Sequence, residues 1–246
     1  NDYTLQLNYE NPETELEVGL IYQSRRSTRL NSNDTPTALV PTSTVTQNYE
    51  VDSYNFFVSQ WVETVKVAFE VGFQSGGMGL TTPTNGEVKQ DAFGGAVKVT
   101  WMPESSNWGA VLDVGYASGD DPTTLDKYEG YVFDQNYDVA MLLFNHPMGT
   151  QDFFRTGANR NSTTATANTN FNAANAFDTE AISNAIFASA ALHYRWAEDK
   201  FDLETRLTYA QLAKDPLNTN VDSNDGFEID LGLTYKPFKG FQWVNR

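Results

Sequence analysis

Apolar and polar residues alternate along this chain in paired runs, each pair joined by a short turn. In one such pair Ile182, Ile186, Leu192, Tyr194 and Trp196 share a parity. Ala197-Glu198-Asp199-Lys200 then turns the chain, and Phe201, Leu203, Leu207 and Tyr209 form one face of the return run. A period of two is the mark of a strand with one apolar face. Tyr3, Leu5, Leu7 and Tyr9 are likewise answered, after Asn11-Pro12, by Leu16, Val18, Leu20 and Tyr22. The run from Tyr49 to Gln60 is less regular; its apolar parity changes between Val51 and Tyr54, which predicts a bulge. After a turn at Trp61-Val62-Glu63-Thr64 come Val65, Val67, Phe69, Val71 and Phe73. Phe93, Val97, Val99 and Trp101 turn through Pro103-Glu104-Ser105-Ser106 into Trp108, Ala110, Leu112, Val114 and Tyr116. Phe227, Ile229, Leu231, Leu233 and Tyr235 precede a turn at Pro237-Phe238-Lys239-Gly240 and a last run, Phe241-Gln242-Trp243. The pattern amounts to nine strands and the start of a tenth.

The connections alternate short and long. The long ones are a Ser/Thr/Asn/Pro loop over 27–47, a Gly-rich loop over 75–90, a segment over 117–180 and a loop over 213–225. Aromatic residues gather beside the short turns, among them Tyr9, Trp101, Trp108, Tyr194, Trp196, Phe201, Tyr235, Phe238, Phe241 and Trp243. Such rings favour a membrane–water interface. The apolar parities carry almost no charge, as contact with lipid requires. The expected fold is therefore all-β, an antiparallel up-and-down transmembrane β-barrel with short periplasmic turns and long extracellular loops, in a bacterial outer membrane. A secreted sandwich or lectin-like domain is the alternative that parity alone leaves open. Residues 1–246 form a single barrel domain. The first strand runs into a short turn and the last leaves one, so both ends are expected to lie inside a longer chain whose barrel has at least about 12 strands.

Composition narrows the function classes. No stretch approaches the ~20 apolar residues of a membrane-spanning helix, a requirement that barrels escape. There is no cysteine, hence no disulfide framework and no thiolate metal site. The formal charge of -16 argues against nucleic-acid binding. The acidity serves loop solubility or, as a sharper reading, divalent cations beside lipopolysaccharide phosphates. No nucleophile motif, phosphate loop or zinc-helix motif is present, so no enzyme is expected.

The second face of the strands carries the candidate chemistry. Glu17, Lys66, Glu70, Lys98, Asp113, His193, Arg195, Asp202, Glu204, Arg206, Glu228 and Asp230 are candidate pore-lining residues, with Glu15 and Lys236 as further charges on that face. If Trp196 pairs with Phe201, then Arg195 faces Asp202, His193 faces Glu204 and Ala191 faces Arg206. Directly opposed charges stabilise a sheet by roughly 0.2–1 kcal/mol each. The segment over 117–180 is too long for a plain connection and is expected to cap the mouth or fold into the lumen. Its apolar stretch, including Val139, Met141, Leu142 and Phe144, is the candidate constriction, since freely exposed it invites aggregation. Self-packing and contact with a neighbouring protomer are the other ways to cover it. Residues 161–175, rich in Asn, Thr and Ala, read as flexible. Asp120-Asp121 and Asp222-Ser223-Asn224-Asp225-Gly226 could ligate calcium through oxygen, but neither completes an EF-hand loop and turn formation is the commoner role. No other cofactor is expected.

Gly115-Tyr116-Ala117-Ser118-Gly119-Asp120 at the top of a strand, and Phe227-Glu228-Ile229-Asp230-Leu231-Gly232-Leu233-Thr234-Tyr235 near the end, resemble the Gram-negative outer-membrane porins and, more loosely, the alginate-export family. The usual terminal strand ending in an aromatic residue is absent, the sequence closing at Asn245-Arg246. The resemblance implies passive passage of small hydrophilic or anionic solutes. An alginate exporter would need a lumen lined by Arg and Lys, and the acidic bias here argues instead for mild cation preference. The expected partners are outer-membrane lipid and lipopolysaccharide, small hydrophilic solutes, and a homo-oligomer or envelope-complex partner. The functional expectation is a diffusion channel, with a non-transporting anchor or scaffold for an envelope complex as the alternative.

Overall fold

A computed structural model describes residues 2–27, 44–45, 49–82, 86–121, 123–124, 126–134, 136–144, 181–215 and 224–245. In chain order the strands are β1 (Asp2–Asn11), β2 (Leu16–Ser27), β3 (Thr44–Val45), β4 (Tyr49–Val62), β5 (Val65–Thr82), β6 (Gly86–Trp101), β7 (Trp108–Ala117), β8 (Lys127–Tyr128), β9 (Ala185–Trp196), β10 (Phe201–Leu212), β11 (Asn224–Phe238) and β12 (Phe241–Asn245). Ten of them form one antiparallel up-and-down sheet in the order β1-β2-β4-β5-β6-β7-β9-β10-β11-β12. The two-residue strands join from the side, β3 antiparallel on β5 and β8 parallel on β6. β1 and β12 are the edges of this path. Among the described residues no second sheet packs against it, so the sandwich alternative does not describe this fold.

Side-chain parity divides the sheet into two unlike surfaces. One carries Leu5, Leu20, Phe56, Phe69, Val97, Leu112, Leu192, Leu207 and Leu231, and large apolar side chains on it are exposed: Leu231 is 64% accessible and Phe227 72%. The other is polar and charged toward the short turns. Toward the long connections it becomes small, with Gly72, Ala92, Gly94, Ala96, Ala117, Ala185 and Ala210. The only buried hydrophobic cluster described lies on this second face. There Tyr131, Val139, Ala140, Leu143, Phe144 and Ile182 pack over those small residues and Phe187. Among the described residues the core is thus buried on the polar face and the apolar face is bare.

Aromatic rings edge the apolar face in two belts. Beside the short turns, ring centroids run Trp108–Tyr194 at 4.8 Å, Tyr194–Trp196 at 5.8 Å, Trp196–Phe201 at 5.1 Å and Phe201–Tyr235 at 4.6 Å, with Phe238–Phe241 at 5.4 Å beyond. Toward the other end come Tyr22–Tyr54 at 5.2 Å, Phe73–Phe93 at 6.5 Å and Phe93–Tyr116 at 5.1 Å. The belts are eight positions apart on four strands: Phe93 to Trp101, Trp108 to Tyr116, Phe201 to Tyr209 and Phe227 to Tyr235. At ~3.3 Å per residue that is about 26 Å along the strand.

Several sequence expectations are corrected. β4 has no bulge: its register runs unbroken against both β2 and β5. Val51 instead faces the polar side, where it lines a cavity with Gln74, Gln90 and Tyr128; an apolar residue there signalled cover, not slippage. The predicted Gly-rich loop over 75–90 is mostly strand, because β5 runs to Thr82 and β6 starts at Gly86, with the register shift between Gly77 and Thr81. Gly76 permits this; its φ is +146°, and an added Cβ would collide with the Glu50 carbonyl. Loop length therefore does not alternate at that hairpin. The turn after β4 is Glu63-Thr64 alone, since Val62 pairs with Val65. Glu15 sits in the turn before β2 with φ +51°, not on a strand face. Ile182 precedes β9 and is buried, not outward-facing like Ile186.

Phe201 links the two sides of the turn-side belt, stacking on both Trp196 and Tyr235. At ~0.5–1.5 kcal/mol per aromatic pair, Phe201→Leu should lower unfolding stability by about 1–3 kcal/mol, followed by tryptophan fluorescence in denaturant. Phe227→Leu, on a more exposed ring, should cost less. Equal costs would remove the belt from the stability account.

Candidate functional site

The site is the polar face and the strap that lies on it, residues 118–144. The strap leaves β7 at Ser118. The Ser118 amide donates to the Phe93 carbonyl at 2.9 Å, and its Oγ accepts from the Phe93 amide at 3.0 Å. The Lys89 amide donates to the Asp126 carbonyl, 2.9 Å, as β8 runs beside β6. Further along, the Tyr131 amide donates to the Ser118 carbonyl and the Phe133 amide to the Ile182 carbonyl, both 2.9 Å. The chain is then laid across the wall. The Tyr131 hydroxyl reaches Asn55 Oδ1 on β4 at 3.4 Å, and Tyr137 donates its hydroxyl to Asp113 Oδ1 on β7 at 2.7 Å. The Val139 carbonyl accepts from Ser189 Oγ on β9 at 3.1 Å and from Thr208 Oγ1 on β10 at 3.0 Å. Glu228 on β11 accepts from three successive amides, Met141, Leu142 and Leu143, at 3.1, 2.8 and 2.7 Å. One segment is thereby fastened to strands from β4 to β11.

The wall is shaped to receive it. Tyr131 lies on Gly72 and Gly94, which face each other across β5 and β6. Any Cβ at either position would overlap the tyrosine ring or its hydroxyl. Phe187 fills the space over Gly115 in the same way. Phe133, Tyr137 and Phe144 surround Phe187 with centroids 6.1–6.2 Å away. Of the candidate constriction, Val139 and Phe144 are buried, whereas Met141 and Leu142 are 37% and 46% exposed and project from the strap.

The charged residues form local pairs. Lys66 lies 3.8 Å from Glu17, which also accepts from Ser59 Oγ at 2.8 Å. Lys98 lies 4.0 Å from Asp113. The register across the β9–β10 turn is the one the sequence implied: Trp196 opposite Phe201, Arg195 opposite Asp202, His193 opposite Glu204 and Ala191 opposite Arg206. The bonds, however, are not the directly opposed ones. Arg195 donates to the carbonyls of Pro103 and Ser106 in the neighbouring turn, both at 2.9 Å. Asp202 is left to His193 Nδ1 at 3.1 Å, and Arg206 takes Glu204 on its own strand at 2.8 Å. For the guanidinium, turn carbonyls that need a donor outcompete a half-buried carboxylate that has His193 as a partner. Glu70 stands exposed on the same face. Asp230 sits two positions from Glu228 and has one buried oxygen without a hydrogen-bond partner among the described residues. Lys236, near the short-turn end of β11, is exposed.

Asp120 and Asp121 build the strap's entry. Asp120 Oδ1 accepts from the Glu129 amide at 3.0 Å, and Asp121 Oδ1 from the Thr123 amide at 2.9 Å. Asp121 Oδ2 pairs with Lys214 Nζ, beyond β10, at 2.8 Å. These bonds to Lys214 and Thr123 hold the Asp121 carboxyl down to about 2, and Asp121 raises Lys214 above the ordinary lysine range. Asp222 and Ser223 of the second calcium candidate, and residues 161–175, lie outside the described residues, and Asn224 opens β11. The sequence reading missed Ser118, Ser189, Thr208 and the facing glycines. Their signal was the run of small residues at polar-face parity, which leaves room for a covering segment.

No family model matches the chain, and no curated protein does. Among solved structures it is similar to the FrpB iron transporter from Neisseria meningitidis (F5-1 variant), with a TM-score of 0.41 and 10% identity over 96% of this chain. The chain spans about a third of that protein's length (33%).

Gly94→Val should push Tyr131 off the wall and destabilise the fold by about 1–3 kcal/mol, the usual cost of overpacking. It should also expose the strap to protease. Gly19→Val, where an added Cβ meets side chains no closer than 3.4 Å, is the control and should change neither. The Asp121 pair predicts an acid step. A carboxyl depressed from 3.8 to about 2 adds stability above its ordinary range and loses it as pH falls from about 4 through 2. Protease sensitivity of the strap should rise in that window, remain flat from pH 5 to 8, and show no such step in Asp121→Asn.

Proposed function

We propose that this chain is wall and constriction of an outer-membrane β-barrel that passes small hydrophilic solutes or ions. The observation that carries this is the bare apolar face bounded by two aromatic belts. Soluble monomers rarely leave contiguous apolar patches larger than a few hundred Å². Strands tilted by about 40° turn the 26 Å between belts into roughly 20 Å of height, close to the apolar band of a bacterial outer membrane. The polar face is then the lumen, and the strap narrows it.

The acid–base balance of that face favours cations over anions. Lys66, Lys98 and Arg206 each lie beside a carboxylate. Glu70 and Asp230 remain in excess of those pairs, and Glu228 is committed to strap amides. A second reading, a closed barrel serving as anchor or scaffold for an envelope complex, is favoured by the number of bonds that fasten the strap.

Two measurements test these readings. Leu231→Arg, midway between Phe227 and Tyr235, should cost about 2–4 kcal/mol if that face meets lipid. In a water-exposed position the same change should fall within about ±0.5 kcal/mol. In a planar bilayer the full chain should give small cation-preferring steps that grow when residues 139–144 are deleted. Absence of open steps in both proteins would favour the scaffold.

A further inference from the structure

The charged character of the polar face stops abruptly at one place. Across β1, β2, β4 and β5, at the end away from the short turns, four directly paired residues form a row: Thr4 opposite Gln23, Gln23 opposite Ser53, and Ser53 opposite Gln74. Gln90 on β6 stands diagonal to Gln74 and donates its Nε2 to Gln74 Oε1 at 3.1 Å. Every member is neutral and carries a hydrogen-bonding group. The row lines a cavity of about 440 Å³ whose other wall is the strap at Tyr128 and Gly130, with Tyr49 beside it. That volume lies within the range of ~300–1,000 Å³ typical of small-molecule sites.

We infer that this cavity binds a neutral, hydroxyl-rich solute of mono- to trisaccharide size. An amide presents a donor and an acceptor side by side, as a sugar hydroxyl requires, and serines and threonines do the same with one atom. Among the described residues the Gln74 amide nitrogen and the Gln90 amide oxygen keep no side-chain partner, so both remain available to a ligand. Four strands at ~4.8 Å spacing set the row's length at about 14 Å, enough to follow two or three linked rings. Tyr49 and Tyr128 add flat apolar faces with polar tips, suited to a molecule whose ring faces are C–H and whose rim is hydroxyl. Charged ligands fit poorly. The cations and anions at the cavity are Arg25 and Asp2, and they already pair with each other at 3.5 Å. Elsewhere the same face would offer an ion several carboxylates. Because the cavity is bounded by the strap at Tyr128 and Gly130, its occupant sits against the segment that leads on to the proposed constriction.

This inference rests on the channel reading, whose solutes it specifies, and the two can fail separately. Calorimetric titration of the detergent-solubilised full chain with maltose, glucose, glucuronate and glucosamine reads binding directly. Saturable maltose binding is expected, about tenfold tighter than either charged sugar, and weakened by about tenfold in Gln74→Leu, the equivalent of one lost hydrogen bond. Gln23→Leu, at an exposed position, repeats the test should Gln74→Leu fold poorly. No saturable binding of a neutral sugar, stronger binding of glucuronate or glucosamine, or full affinity in both variants would overturn the site. Swelling of liposomes carrying the same protein reads passage. Swelling without binding overturns the inference and leaves the channel; binding without swelling supports the site and overturns the channel.

Discussion

The whole structure depends on where a bare apolar sheet face can find a partner. The ladder pairs the backbone groups of each interior strand with neighbours on both sides. Its side chains alternate with a period of two, so every outward position from Leu5 on β1 to Leu231 on β11 reaches the same surface. Nothing in the described chain covers that surface. In the proposed outer-membrane setting the face is satisfied by its solvent, and the aromatic belts at constant spacing would mark where that solvent changes from apolar to wet. Once this face is committed outward, the opposite face must accommodate both the charges and whatever protein core there is.

That second requirement explains the strap. A wall with a fully polar inner face has little to pack, and a long segment rich in Tyr, Phe and Leu has nowhere apolar to go outside. Small residues at inner parity resolve both problems at once. Gly72, Gly94 and Gly115 let Tyr131 and Phe187 lie against backbone, and the alanines around them form the floor of the one buried cluster described. The polar anchors are matched to what the strap exposes. A carbonyl at Val139 meets two hydroxyls, and three successive amides meet one carboxylate. Backbone groups lifted off water in this way would each cost about 1–3 kcal/mol if left unpaired.

The strands were legible in the sequence because their signal is local: parity, turn residues and ring placement lie within each run. Even the β9–β10 register followed from one assumption, Trp196 opposite Phe201. Two kinds of information were not local. The first was cover. Val51 looked like a break in parity, and its apolar character made sense only with the cavity it shares with Tyr128. The second was competition for partners. Pairing by register assigned Arg195 to Asp202, yet the guanidinium reaches carbonyls about 90 positions earlier, a neighbour no parity argument supplies. The segment over 117–180 was marked as needing a partner by its apolar run. Which wall positions would hold it depended on the glycines and on Ser189 and Thr208, residues that carry no chemistry of their own in a sequence reading.

Strap and wall divide the polar face into two regions of different character, and the division has a physical origin. Where the strap's aromatic part docks, the wall is mostly Gly, Ala, Ser and Thr, and the carboxylate it does bury, Asp113, takes the Tyr137 hydroxyl and lies 4.0 Å from Lys98. Where the face stays open toward the short turns, charges persist as pairs: Lys66 with Glu17, Arg206 with Glu204, His193 with Asp202. Glu228 stands at the boundary and fastens the far end of the strap. Its charge is placed against the amides of residues 141–143, whose aligned N–H groups concentrate partial positive charge much as an anion-binding nest does. A neutral amide has one accepting oxygen and could take at most two of these bonds; the carboxylate takes two on Oε1 and the third on Oε2. The same contact projects Met141 and Leu142 away from the wall. In the proposed channel the constriction would then be set by apolar side chains held in place by an ion, and its width would follow the integrity of one carboxylate-to-backbone contact more than the packing of the apolar residues themselves.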